Sequence, residues 1–298
     1  MMTTPQQFMG IVVVDKPQDF TSFDVVAKMR GIFQTRKIGH GGTLDPMATG
    51  VLPVFLGQAA KAVDLQPRAD KTYVATILLG ISTDTGDITG SVLQENNRQI
   101  AEEEFCKVLP PFVGKQQQVP PMYSAVKVAG KPLYSYARAG KEVERKPRPV
   151  EIFSIDYLGQ QDSNRFSIRV HCSKGTYIRT LAEEIGTALG MPATLAALRR
   201  TAAGIFCLEQ AYTLQQIQAA KEEGSLQQLL LPIDTVFEEI QQVALDENQM
   251  QRLCNGAIVY GLKNAPGRFR AYCNNQFLGL VQIRQDGTLM GEKLFLQR

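Results

Sequence analysis

Asp45 stands in the stretch IGHGGTLDPMATGVL, residues 38–52, where Gly39, Gly41, Gly42 and Gly50 surround one acid and one histidine. Glycine adopts backbone conformations that side-chained residues resist, so such a loop can pass close to a bound partner. Pro46 biases Asp45 toward extended backbone, which fixes where its carboxylate points. A lone carboxylate in that setting is a metal ligand, a general base or a nucleophile. Metal use needs further ligands, and the chain has only two histidines, His40 and His171, and no CxxC pair. Nucleophilic use needs the acid ionised, which a nearby cation favours. The segment HCSKGTYIRT, residues 171–180, offers such a cation, Arg179, and an aromatic ring, Tyr177. Nothing in the spacing joins these distant segments, and the loop's composition is equally that of a surface turn. It has neither the Lys-Ser/Thr end of a P-loop nor dinucleotide-fingerprint spacing, so no nucleotide cofactor is expected.

The elements that must position these residues alternate irregularly between strand and helix. Ile11–Val14 reads as a buried strand, and Thr21–Phe33 as a helix capped by Thr21 or Ser22 with Val25, Val26, Met29 and Phe33 on its apolar face. Strands follow at 51–56 and 71–80; alternation puts Tyr73, Ala75, Ile77 and Leu79 on one face of the second, and TDTGD, 83–87, turns the chain. A charged helix over 101–109 precedes a segment that interleaves basic residues with Tyr123, Tyr134 and Tyr136, which suits a phosphate backbone and stacked bases. Strands at 150–158 and 166–172 lead through Ser173-Lys174-Gly175 into a helix over 176–189, and Thr213 with Gln216 forms a capping box. An acidic connector runs to Glu247. Short strands at 256–260, 268–273, 278–283 and 293–296 predict a small β-barrel.

At 298 residues the chain predicts two domains, and its hydrophobic and charged fractions of 44% and 20% are those of a globular protein. No apolar run is long enough for a membrane helix, and MMTTPQQFMG lacks a signal-peptide pattern, so a cytoplasmic protein is expected. Five unpaired, widely spaced cysteines predict reduced, mostly buried thiols without structural zinc. Net charge is only +3, but residues 127–148 hold seven Lys or Arg against two Glu, while 209–247 hold eight acids against one Lys and 248–298 turn basic again. Basic blocks so separated suit a polyanion.

GHGGTLDPMATGVL at 39–52, together with DKP at 15–17, KTYVA at 71–75, YSAVK at 123–127 and HCSKGTYIRTLAEEIG at 171–186, resembles the bacterial TruB family of tRNA pseudouridine-55 synthases across residues 10–205. Gly41 stands where the family usually has threonine. The resemblance implies an α+β fold with a mixed, largely antiparallel sheet and flanking helices over residues 1–240. It also implies a basic RNA-binding insertion near 115–150 and a PUA-like RNA-binding domain over 241–298. It implies an isomerase that flips out one uridine of the tRNA T loop, breaks its N-glycosidic bond and rejoins the uracil through carbon. No cofactor, metal, guide RNA or protein partner is implied, and a monomer is expected. Asp45 matches the catalytic aspartate, Tyr73 the base-stacking and proton-transferring tyrosine, and Arg179 the arginine that pairs with the aspartate. His40, Tyr177, Leu198 and Lys16 match residues that meet or support the substrate.

Overall fold

The computed structural model describes residues 8–262 and 264–296. Residues 1–7, part of the segment read for a targeting pattern, lie outside them, as do Lys263 and 297–298.

Strands β1 (Gly10–Lys16), β2 (Ile38–His40), β3 (Thr49–Leu56) and β4 (Lys71–Leu79) build half of the main sheet. A hairpin of β5 (Ile81–Thr83) and β6 (Val92–Glu95) stands beside it. β7 (Gly114–Gln118) comes next, then the two-residue strands β8 (Lys127–Val128) and β9 (Lys131–Pro132). β10 (Arg148–Asp162), β11 (Arg165–Cys172), β12 (Ala193–Ala203) and β13 (Phe206–Cys207) complete the set. The sheet runs β1-β3-β12-β4-β11-β10-β7, with β2 on β3 and β13 on β12. Every pairing in it is antiparallel except a short parallel contact of β12 with β3, at Arg199–Thr49 and Arg200–Gly50.

Both faces are covered, which is why β1 is apolar at consecutive positions. Ile11 and Val13 pack with Val51, Phe55 and Phe206, whereas Val12 and Val14 pack with Leu52, Val54 and helix α1 (Ser22–Phe33). Thr21 caps α1 through a reciprocal box with Asp24. On β4, Tyr73, Ala75, Ile77 and Leu79 share one core cluster, as their alternation predicts. Helices α2 (Glu102–Val108) and α3 (Leu133–Arg138) flank the basic segment. α4 (Ile178–Ala188) buries Ile178, Leu181, Ala182 and Ile185 on the β4 face. α5 (Leu214–Glu222) closes the α1 side and opens on the expected box of Thr213 and Gln216.

Three sequence readings change. β12 had no counterpart in the sequence pattern; its Leu-Arg-Arg centre breaks simple alternation because register shifts at 195–197 and 200–202 interrupt the ladder with β4. The acidic stretch is no loose connector, since Ile233, Val236 and Phe237 are buried within it. The C-terminal strands β14 (Gln242–Ala244), β15 (Gly267–Cys273), β16 (Gln276–Ile283) and β17 (Leu289–Leu294) form an open four-stranded sheet, not a closed barrel. Closure requires the two edge strands to meet. The predicted strand at 256–260 makes only one bridge, Val259 with Leu289, because helix α6 (Glu247–Cys254) ends there and Gly256 and Gly261 turn the chain at φ +74° and +83°. The last strand falls at 289–294, directly after the turn at Asp286-Gly287, rather than at 293–296. Leu280 and Phe295 of this unit lie in one core cluster with Phe55, Phe206 and Phe237, so it packs against the main sheet. Of the five cysteines, Cys172 and Cys273 are buried and three are half-buried, fewer than expected.

Candidate active site

The glycine loop is held from three sides. Ser22 at the start of α1 donates its hydroxyl to the Leu44 carbonyl and accepts the Leu44 N–H at 2.8 Å. Lys16 donates its ammonium to the carbonyls of Pro17, Phe20 and Pro46. Asp45 itself turns tightly, its carbonyl accepting the Ala48 N–H at 3.1 Å. Gly50 closes the loop at φ +103°, and a Cβ there would sit 2.2 Å from the Arg200 carbonyl oxygen, so only glycine fits.

These restraints aim the Asp45 carboxylate at α4. Arg179 meets it two-pronged, Nε to Oδ2 at 2.9 Å and Nη2 to Oδ1 at 3.1 Å. Arg179 is 3% exposed, and its remaining reach is used by the carbonyls of Thr85, 2.8 Å, and Tyr123, 2.7 Å. Asp87 stands 4.0 Å away, its own Oδ1 taken by the hydroxyls of Thr85 and Thr89. A planar fork fixed by that many acceptors orients a carboxylate more strictly than a lysine would.

The Asp45 side chain keeps about a third of its surface open, 33%, at the wall of a cleft of about 730 Å³. Burial pushes its pKa above the usual carboxylate value; Arg179 pulls it back and Asp87 adds to the rise. Tyr73, Tyr177 and Leu198 line the same cleft. Helical phase alone would put Tyr177 and Arg179 on different sides. They share the cleft because Tyr177 is the extended N-cap of α4, and the buried Gln118 side chain clamps its peptide, accepting its N–H at 2.7 Å and donating to its carbonyl at 3.1 Å.

The structure separates the other two candidates from the cleft. His40 is half-buried on β2, one residue outside the lining, and burial with the charge of Arg200 lowers its pKa. Lys16 is fully buried with its amine engaged by three carbonyls, so it supports the Asp45 loop from behind. Its burial lowers its pKa to about 8 in spite of Asp45 and Asp19. Sequence reading missed Asp87, Gln118 and Arg200, and Lys71, which lines the cleft. Asp87 lay in plain view in TDTGD, whose second acid is more than a turn needs. Among the described residues no group of three His, Cys, Asp or Glu converges as metal ligands would.

The model of the TruB family pseudouridylate synthase N-terminal domain matches residues 30–178, a tRNA pseudouridylate synthase B C-terminal domain matches 179–238, and a pseudouridine synthase II TruB C-terminal model matches 242–295. The chain is 43% identical to a tRNA pseudouridine synthase B of Aromatoleum aromaticum, over 96% of this chain and 92% of the relative. It is 41% identical to one of Dehalococcoides mccartyi, over 97% of each. Among solved structures it resembles a Cbf5-Nop10-Gar1 complex at a TM-score of 0.71 and 27% identity, covering 97% of this chain and 86% of that one. The chain belongs to the TruB family of pseudouridylate synthases.

Proposed function

We propose that this isomerase converts the uridine at position 55, in the T loop of tRNA, to pseudouridine, with Asp45 as the essential carboxylate and no guide RNA or partner protein. The observation that carries the reading is the Asp45–Arg179 fork at the wall of a cleft shared with Tyr73, Tyr177 and Leu198. The tRNA substrate is supported by bacterial relatives named tRNA pseudouridine synthase B that match nearly end to end.

The chemistry is self-contained. The C1′–N1 bond breaks, the uracil turns, C1′ bonds to C5, C5 loses its proton and N1 gains one. No oxidant or outside group enters, so no cofactor is needed. A stacked uridine hides the reacting atoms, so the nucleotide is flipped into the cleft at a cost of a few kcal/mol. Stacking on Tyr73 returns roughly 1–3 kcal/mol, and basic side chains add salt-dependent phosphate contacts. Asp45, ionised and held by Arg179, attacks either the ribose or the uracil ring, and Tyr73 moves a proton. The insertion at 115–150 tracks the backbone: its β8–β9 hairpin turns at Ala129-Gly130, both at positive φ, and presents Lys127 and Lys131 beside Tyr134 and Arg138 of α3. Residues 241–298 form the second RNA-gripping unit beside a catalytic domain of 1–240.

Asp45→Asn is the direct test. Pseudouridine formation in a T-arm hairpin should fall about a thousandfold or more while hairpin binding persists, within the range lost with a catalytic acid or base; normal turnover would end the assignment. The likeness to a Cbf5-Nop10-Gar1 complex favours one other reading, a synthase that works only together with partners. Turnover of the bare hairpin by purified protein alone, mapped to the position-55 uridine, excludes it.

A further inference from the structure

A second cation is buried behind the cleft, and none of the roles above uses it. Arg200 is 0% exposed on β12 and lies directly across the strand pair from Tyr73 on β4. Opposed residues on antiparallel strands project to the same face with Cβ atoms about 4.5–5.5 Å apart. The guanidinium and the phenol therefore rise side by side, Tyr73 to the cleft wall and Arg200 behind it.

Two guanidinium nitrogens are anchored on the catalytic loop. Nε donates to the Val51 carbonyl at 2.7 Å and Nη2 to the Gly42 carbonyl at 3.0 Å, so Arg200 ties together the two ends of the loop that carries Asp45. The third nitrogen, Nη1, is buried with no hydrogen-bond partner among the described residues. Among the described residues no carboxylate supports the charge, and only Tyr73 favours it. A buried cation with one idle N–H beside a phenol is an arrangement that a phenolate oxygen would complete, since unsatisfied buried donors are costly.

We propose that Arg200 is the positioning residue for Tyr73: anchored by the loop carbonyls, it turns its free N–H toward the phenol and stabilises the oxygen when the proton leaves. This rests on the reading that Tyr73 moves a proton during the isomerisation. The surroundings otherwise oppose that step. Burial pushes the Tyr73 phenol up, and the two other titratable groups that act on it, Cys172 on β11 and Asp45 on the loop, push the same way. Arg200 alone favours the ionised form. The loop connection adds a consequence: one side chain fixes the relative placement of the carboxylate loop and the proton-transfer group.

The test is a 19F NMR titration of the full chain carrying 3-fluorotyrosine at position 73, without RNA. Arg200→Gln should raise the phenol midpoint by about 1–3 pH units, the usual effect of removing an opposite charge at close range. Arg200→Lys should restore part of the difference. An unchanged midpoint in a folded Arg200→Gln protein overturns the proposal. If Arg200→Gln does not fold, Tyr73→Phe in 15N-arginine-labelled protein reads the same contact from the other side. The Arg200 Nη–H signals should then move and exchange faster, and signals identical to those with Tyr73 intact would likewise overturn it. Turnover by Tyr73→Phe separates the two claims. Full activity removes the proton-transfer role, while the titration reports the Arg200 contact in the free protein whatever that activity is.

Discussion

At the scale of single residues, the site works by setting two opposing influences against one acid. Burial and Asp87 push the Asp45 pKa up, and the Arg179 fork is the largest influence holding it down. In the proposed reading the catalytic form is the carboxylate, present above that pKa and lost as pH falls through it. Arg179→Lys replaces a two-pronged, orienting contact by a point charge. The Asp45 pKa should climb further, so the acid limb of the kcat/KM profile should move to higher pH and kcat should drop about 10- to 100-fold, the cost expected when a catalytic group is misplaced. An acid limb that stays in place would show that Arg179 does not govern Asp45. Lys16 supports the same loop from below. Lys16→Met removes the ammonium from the half-buried Pro17 and Phe20 carbonyls, while the Pro46 carbonyl keeps the Asp19 N–H, and should cost about 1–3 kcal/mol in denaturant melts. Asp45, Arg179 and Tyr73 were legible as residue types because the motifs around them are unusual. Asp87 was in view too, as the surplus acid of the TDTGD turn, but Arg200 was not, since it reads as an ordinary surface cation until burial is known.

Elements bring those residues together through a few crossing points. β12 passes between β3 and β4, and at Gly50–Arg200 it meets β3 in parallel while Arg200 faces Tyr73 on the other side. Gly50→Ala should therefore do more than strain one turn. Positive φ and a 2.2 Å overlap with the Arg200 carbonyl force β3 and β12 apart, a loss of about 2–4 kcal/mol in chemical denaturation with reduced turnover in the folded fraction. Gly190→Ala, also at positive φ but with open space around it, is the control and should cost only about 1 kcal/mol. Equal losses at the two sites would mean that the overlap is relieved without moving the strands. Strands β1, β3 and β4 and helices α1 and α5 could be read from apolar runs, alternation and caps. β12 escaped because two register shifts broke its period.

Over the whole molecule, one cleft wall, one basic insertion and one C-terminal unit face the RNA in the proposed reading. The charge map predicts a measurable salt law. Replacing Lys127, Lys131 and Lys141 with Gln should lower the slope of log affinity against log salt by about 0.7–0.9 for each phosphate that is no longer neutralised, while pseudouridine formation at saturating RNA is retained. A slope that does not change in anisotropy titrations would remove the insertion from the binding surface. The C-terminal sheet shares Leu280 and Phe295 with the core around Phe237, so its orientation is fixed by packing and not by a linker. By itself the sequence determined the chemistry on offer: a carboxylate in a glycine loop, an arginine at a strand-to-helix junction, an aromatic on an alternating strand, and basic blocks for a polyanion. Only tertiary structure decided that the carboxylate and arginine, 134 positions apart, meet at 2.9 Å, that Lys16 stands behind the loop, and that the C-terminal strands stay open. Local patterns encode what a segment buries and how its backbone turns. Which buried faces meet depends on the order of strands in the sheet, a long-range choice that no short stretch of residues carries.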